Sequence, residues 1–367
     1  MIGILSLLHN NNFGSVLQCY ALERTLEGMG FACEHIDYRM DIQEKTRNLL
    51  RCGNSPRLLA EGWRKRRMVR TDAASSAKQK ALEQFIAREL HLSPVCRNHK
   101  ALEAIRSRYD LLLCGSDQIW SPTWLNPSYF LDFAGDTPKL AYACSLGVSS
   151  LPGRHKQKLM RQALRGFQGI SVREEEGASL LEALTGQRPD VCPDPVVLLE
   201  KSQWLAMAGK PAGKETKTSS MVCYFLGDAG HYQEMVQTLS ETMALKPLLL
   251  PFGAEAVHRT DWEKADAASP EDFLHCLSDA GLVCTDSFHG AMLACVLERP
   301  FFVCLRDAQA DPKNRNSRVL SLLRRMQASP WEVVEMTEER RLALAAWRAE
   351  GLQWLKSHVT YALASGK

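Results

Sequence analysis

The chain has 367 residues, of which 45% are hydrophobic and 24% charged, and a formal net charge of +3. That length exceeds one ordinary core and suits two globular domains, and so small a basic excess argues against a nucleic-acid partner while leaving room for anionic substrates. No run approaches the ~18–20 unbroken apolar residues that cross a bilayer, and twelve scattered cysteines with no C-x-x-C pair suit free thiols in a reducing cytosol better than disulfides or a structural metal.

Residues 1–7 are apolar, lack a basic flank and run straight into His9-Asn10-Asn11-Asn12, so they read as a first strand and not as a signal peptide. Residues 15–29 carry Val16, Leu17, Tyr20, Leu22, Leu26 and Met29 at near-helical spacing, with Gly30 where a C-terminal cap belongs. Residues 31–38 read as a second strand, which completes one βαβ unit. The segment 41–98 is polar and helical in composition and is expected outside the sheet. Its basic run Arg64-Lys65-Arg66-Arg67 is either a solvated helix face or a contact for a phosphate-rich or membrane-surface partner.

Strand signals resume at 110–114, 140–144, 169–172 and 190–192, the last stopped by Pro193. The turn-rich stretch 210–217 reads as an interdomain linker. A second strand series follows at 220–225, 247–250, 281–284 and 301–305, and residues from Thr337 onward read as one or two helices. The expected organisation is an N-terminal domain over 1–205, a C-terminal domain over 206–335, and closing helices over 336–367. The fold class is α/β, with two Rossmann-like domains facing across a cleft, and ligands are expected at the carboxyl ends of the strands.

Five strand-to-loop junctions could carry chemistry. His9 to Ser15, with Asn12 and Gly14, is either a capped turn or a loop that offers N–H groups to an anion. No G-x-G-x-x-G or G-x-x-x-x-G-K-[ST] motif is present, which sets aside nicotinamide dehydrogenases and P-loop enzymes. Gly115-Ser116-Asp117-Gln118 ends a buried strand, and Asp117 either caps a helix or orients a sugar hydroxyl and takes its proton. Arg173 follows another buried strand. It either pairs with Glu174 or Glu176 or grips an anionic substrate. Asp286-Ser287-Phe288-His289 opens a helix, and a histidine there can exchange a proton near neutrality. A hydrolase triad on so short a loop is disfavoured, because there is no G-x-S-x-G elbow. Arg315-Asn316-Ser317-Arg318 either starts a surface helix or supplies donors to a phosphate or carboxylate.

Taken in order, these segments resemble the polysaccharide pyruvyl transferase family. The resemblance rests on Gly3-Ile4, Asn12-Phe13-Gly14-Ser15-Val16-Leu17-Gln18 and Gly115-Ser116-Asp117-Gln118-Ile119-Trp120. It continues through Tyr129-Phe130-Leu131-Asp132-Phe133, Ala141-Tyr142-Ala143-Cys144-Ser145-Leu146-Gly147 and Ser171-Val172-Arg173-Glu174. It ends with Asp194-Pro195, Thr285-Asp286-Ser287-Phe288-His289-Gly290 and Asn316-Ser317-Arg318. It spans roughly residues 1 to 325 and leaves 41–98 and the tail beyond 330 without a recognisable motif.

The resemblance implies a two-domain arrangement like that of GT-B glycosyltransferases. It implies phosphoenolpyruvate as co-substrate, no separate cofactor, and a glycan acceptor, free or lipid-linked, that receives a pyruvate ketal in the cytoplasm. Peripheral membrane contact is compatible with it. On that reading His289 is the acid/base, oriented by Asp286. Arg173, Ser287, Arg315, Asn316 and Arg318 hold the donor. Asp117 serves the acceptor side with His9, Asn12, Gly14, Ser116 and Gln118, and no metal is needed. Two other readings share the same cleft: a sugar-nucleotide glycosyltransferase and a non-catalytic glycan-binding descendant.

Overall fold

A computed structural model describes residues 1–57, 60, 64, 73–210, 219–251, 261–306 and 316–365. Among the described residues the chain builds two sheets of six strands each. The first has the order β2-β1-β3-β4-β5-β6 and is parallel throughout: β1 (Ile2–Leu5), β2 (Cys33–His35), β3 (Leu111–Asp117), β4 (Lys139–Cys144), β5 (Phe167–Val172) and β6 (Asp190–Val191). The central strands β1 and β3 are buried at every position, as parallel strands covered on both faces must be.

Between these strands lie α1 (Phe13–Gly28), α2 (Ile42–Cys52), α3 (Ala73–Glu89), α4 (His99–Ile105), α5 (Arg154–Ala163) and α6 (Glu175–Thr185). The second strand is shorter than the sequence suggests. Beyond His35 the chain makes only isolated bridges, His35 to Leu92 and Tyr38 to Cys96, so the returning end of the helical excursion continues the sheet edge. Of the basic run in that excursion, Lys65, Arg66 and Arg67 lie outside the described residues, as do residues 211–217 of the expected linker.

The short helix α7 (Lys201–Met207) precedes the second sheet, whose order is β12-β11-β10-β7-β8-β9. Its strands are β7 (Ser220–Tyr224), β8 (Lys246–Leu249), β9 (Glu263–Lys264), β10 (Leu282–Thr285), β11 (Phe301–Val303) and β12 (Val333–Val334). The first five run parallel, and β12 pairs antiparallel with β11. The helices α8 (Gln233–Met243), α9 (Pro270–Asp279), α10 (Phe288–Val296) and α11 (Ser317–Arg325) pack around this sheet. The two-nucleotide-fold architecture expected from the sequence is therefore present. The two-residue strands β9 and β12 carry too little periodicity to be seen in it.

Each sheet reverses its strand order at one place, between β1 and β3 in the first and between β7 and β10 in the second. A crevice opens at such a switch point, at the carboxyl ends of the strands. In this protein the two crevices face one another. Helix α1 lies between them and is buried nearly all round. One apolar cluster runs from α1 through Val196, Val197 and Trp204 into Phe273, Phe288 and Met292 of the second domain, so the two halves share core. All twelve cysteines are free thiols, eleven buried and Cys276 half-buried.

The last helix, α12 (Glu338–Ser365), returns to the first sheet. Trp354, Leu355, Val359 and Ala362 join Ile2, Leu22, Leu113 and Tyr142 in one cluster. Gly351 allows that approach: a Cβ there would stand 2.5 Å from Pro193 and 2.8 Å from both Leu198 and the Tyr142 hydroxyl. Helix propensity alone favours Gly351→Ala by ~1 kcal/mol. Crowding of ~1–3 kcal/mol should outweigh it. The expected result is a lower melting temperature, read by thermal denaturation, and an unchanged or raised one would show that the helix shifts freely.

Candidate active site

The first crevice contributes side chains from three strand ends and from the start of α1. Ser15, in the first turn of α1, donates to Asp117 Oδ2 at 2.6 Å and accepts from Asn10 at 3.2 Å. Asp117 is the last residue of β3 and not part of a following loop. The strand runs on through Gly115 and Ser116 because Asp117 pairs with Cys144 and the Ser116 N–H donates to Gln18 Oε1 at 3.0 Å. Arg173 leaves the end of β5. Asp194 follows the end of β6, where its Oδ1 accepts from the Val196 N–H and caps a short turn.

Arg173 is the centre of the arrangement, with 1% of its surface exposed. A guanidinium so deeply buried must be compensated. Its Nη1 donates to Asp194 Oδ2 at 2.5 Å, and its Nη2 lies 3.4 Å from Asp117 Oδ1. Glu174 Oε2 lies 3.9 Å from its Nε. Glu176, weighed as a partner from the sequence, instead meets Arg324 of α11 at 2.6 Å. The Phe288 ring covers the guanidinium at 4.4 Å. Burial lowers the Arg173 pKa, but Asp194, Asp117 and Glu174 outweigh it and the net shift is upward. Burial likewise pushes Asp117 and Asp194 up, while His289 and Arg173 bring both below the ordinary carboxylate value. Glu174 stays above it, because burial dominates. Glu174 Oε2 and Arg173 Nε have no hydrogen-bond partner among the described residues.

The second crevice brings His289, in the first turn of α10, against this group. Its Nε2 lies 3.3 Å from Arg173 Nη1 and 3.4 Å from Asp194 Oδ2. A neutral ring can accept from the arginine there, and a protonated one can give its proton to the carboxylate, so both states have a partner. Asp286 does not orient His289 as the sequence suggests. Its carboxylate accepts from the Leu226 and Gly227 N–H groups at 2.7 and 2.9 Å, from the Tyr232 hydroxyl at 3.2 Å and from Arg306 Nε at 3.1 Å. Those donors surround it on the far side of the β10 loop, and Asp194 stands beside the imidazole in its place.

Arg318, in the first turn of α11, lies 5.9 Å from the Phe288 ring. With its amide oxygen turned toward the guanidinium, Gln118 accepts from Arg318 at 2.6 Å. No carboxylate among the described residues lies within ion-pair distance of Arg318. Burial and then the neighbouring Arg173 push its pKa down to about 10, which leaves it cationic at neutral pH.

Of the remaining expected residues, Asn12 caps α1 through the Gly14 N–H at 2.9 Å. Ser287 caps α10 through the Gly290 N–H at 3.3 Å. Asn316 Oδ1 accepts from the Arg306 N–H at 3.0 Å. Ser116 donates to the Ala143 carbonyl at 2.6 Å and lies 3.4 Å from Asp194. His9 sits apart, at 2.7 Å from Asp37. Arg315 lies outside the described residues. Elsewhere, Glu23, Glu27 and His91 bring ligand-type atoms within 4.8 Å of one another, but toward the far end of α1, where Arg24 and His91 take up the carboxylates.

The sequence profile of the polysaccharide pyruvyl transferase family matches residues 12–307, and that span holds every residue of the Arg173 cluster. The chain belongs to this family. No curated protein matches it in sequence. In chain path this pyruvyl transferase family member is similar to a UDP-GlcNAc 2-epimerase from Neisseria meningitidis, at 10% identity over 98% of this chain and 99% of that one, with a TM-score of 0.48. It is similar to the wall teichoic acid polymerase TagF at 9% identity over 99% and 89%, with a TM-score of 0.49. It is similar to the ADP-heptose LPS heptosyltransferase II of E. coli at 13% identity over 99% and 98%, with a TM-score of 0.37.

Two consequences can be measured. A Cβ on Gly14 would lie 2.4 Å from the His289 side chain. Gly14→Ala should therefore force the two crevices apart, lower stability by ~1–3 kcal/mol in urea titration and displace His289; unaltered unfolding would mean that the loops yield. Asp194→Asn should cost ~3 kcal/mol at neutral pH, because it removes the nearest partner of a buried charge. A carboxylate with a lowered folded pKa contributes stability that is complete above its unfolded value and lost as pH falls through the folded one. The melting gap between wild type and Asp194→Asn should accordingly narrow as the solution is taken below about pH 4. A gap independent of pH would assign the effect to packing.

Proposed function

We propose that the protein transfers the enolpyruvyl unit of phosphoenolpyruvate to two hydroxyls of a glycan, forming a pyruvate ketal and releasing phosphate. One observation carries the reading beyond family membership. Arg318 is a cation set back in the cleft, which among the described residues is hydrogen-bonded to the neutral amide of Gln118 without a carboxylate in ion-pair distance, and it stands close to a second guanidinium. An anionic ligand with phosphate and carboxylate groups would complete that pair of cations.

In this reading His289 protonates the donor methylene, which makes the adjacent carbon electrophilic. Asp194 and Arg173 hold the imidazole through Nε2. Asp117, kept ionised and hydrogen-bonded to Ser15, takes the proton of the attacking hydroxyl. The carbon–oxygen bond to phosphate breaks, the second hydroxyl adds to the same carbon and closes the ketal, and of the two hydroxyl protons one restores His289 and the other leaves on the phosphate. Asp286 and Ser287 shape the loop that presents His289, and Gly14 lets α1 approach it. The acceptor glycan, free or lipid-linked, would be met in the cytoplasm. Among the described residues no helix is long and apolar enough to cross a membrane.

Calorimetric titration tests the donor. Phosphoenolpyruvate should bind, and Arg318→Ala should weaken it by ~10–100-fold, the worth of one charge-assisted hydrogen-bonding group. Unchanged affinity in the variant would remove Arg318 from the donor site. Binding of a nucleoside diphosphate sugar with none of phosphoenolpyruvate would replace pyruvyl transfer by sugar transfer.

A further inference from the structure

We propose that α5, with the end of α2 beside it, is a docking surface for an anionic membrane. Residues 154–165 contain Arg154, Lys156, Lys158, Arg161 and Arg165 and no acidic residue. Arg154, Lys158 and Arg161 are spaced i, i+4 and i+7, which places them on one stripe of the helix, Arg165 stands in the turn just past its end, and all four are exposed. Met160 and Leu164, on the other side, are buried in the core of the first domain.

This pattern works against the helix that carries it. The first turn of α5 has no acidic residue and its N-cap makes no side-chain hydrogen bond, while Arg154, His155 and Lys156 sit at the end where the helix dipole favours anions. The like charges at Arg154 and Lys158, one turn apart, repel along the stripe. Two cations have internal work: Lys156 donates to Asn54 at 2.9 Å, and Arg161 to the Leu184 carbonyl at 2.7 Å. Arg154, Lys158 and Arg165 have no carboxylate within ion-pair distance among the described residues. Local stability therefore does not account for them, and an external anion does.

The choice of a lipid surface over another polyanion rests on what adjoins the stripe. His155 Nε2 lies 3.0 Å from the Arg51 carbonyl, which sets the end of α2 against the start of α5. There Leu50 is 75% exposed, beside the exposed Arg51. Cations flanked by a projecting apolar side chain suit the headgroup region of a bilayer, which takes both, whereas a nucleic-acid backbone takes only the charge. Helix α5 follows β4, so the stripe begins at the sheet edge that carries Asp117 and Arg173. Docking there would hold that edge toward the lipid surface, whatever the donor proves to be.

Co-sedimentation tests this, with vesicles of phosphatidylcholine alone and of phosphatidylcholine mixed with phosphatidylglycerol. The full chain should bind only the mixed vesicles and should dissociate as salt is raised. Arg154→Glu/Lys158→Glu/Arg165→Glu should weaken binding by about 100-fold, from ~1 kcal/mol for each basic residue lost. Lys80→Glu/Lys246→Glu/Lys356→Glu, three exposed lysines elsewhere with the same change of charge, should bind as wild type. Should the first triple variant fail to fold, Arg154→Gln/Lys158→Gln serves in its place and should weaken binding about tenfold or more. Equal binding to neutral vesicles, equal losses in the two triple variants, or tighter binding of duplex DNA than of the mixed vesicles at the same salt would each overturn the proposal.

Discussion

The structure depends on the compensation of one buried charge. Arg173 is shut away from water, and no single element could neutralise it. Asp117 reaches it from β3, Asp194 from the end of β6, and the His289 imidazole from the other domain. A guanidinium is planar and directs its donors at fixed angles, so these groups must hold their places to within a fraction of a hydrogen-bond length. The same demand that settles the electrostatics thus fixes how the two crevices face each other. It also places the His289 imidazole between the Arg173 guanidinium and the Asp194 carboxylate, at 3.3 and 3.4 Å.

Packing acts in the same direction. Helix α1 presents Phe13 to Phe273, stacked at 5.0 Å, and Phe273 meets Tyr224 edge-on at 4.8 Å. Aromatic contacts of this kind join the domains through apolar surface directly behind the polar cluster. Lys78, from the helical excursion, brings its ammonium to 4.3 Å from the centre of the Phe13 ring, and burial pushes its pKa down to about 7. The excursion is thus no appendage to the first sheet. One of its helices reaches the rear of the site.

Much of this was legible in the residues. The alternation of apolar runs with helical periodicity gave both sheets, because parallel strands buried on both faces have no polar positions to blur the signal. The strand-end segments pointed to Asp117, Arg173, His289 and Arg318, since polar residues directly after a buried strand need a reason to be there. What could not be read was which carboxylate meets which cation. Asp286 is two residues from the helix start that bears His289, yet its carboxylate turns to the Leu226 and Gly227 backbone. Asp194 lies 95 positions away and supplies the contact. Its only local sign was Cys192-Pro193-Asp194-Pro195, a strand stopped between two prolines around an acid. Ser15 and Gln18 stood within a quoted motif, but their contacts with Asp117 and Ser116 could not be read, because a helix buried nearly all round has no polar face to mark out which side meets the site.

The return of α12 to the first sheet bears on how the protein comes to be folded at all. The first domain begins with β1, yet its apolar surface is closed by Trp354, Leu355 and Val359. On a ribosome that surface emerges early and must wait, uncovered, while the whole second domain is made. The second domain is in effect an insertion that can fold while its host is unfinished. Vectorial synthesis therefore leaves that face of the early half uncovered until α12 has been made.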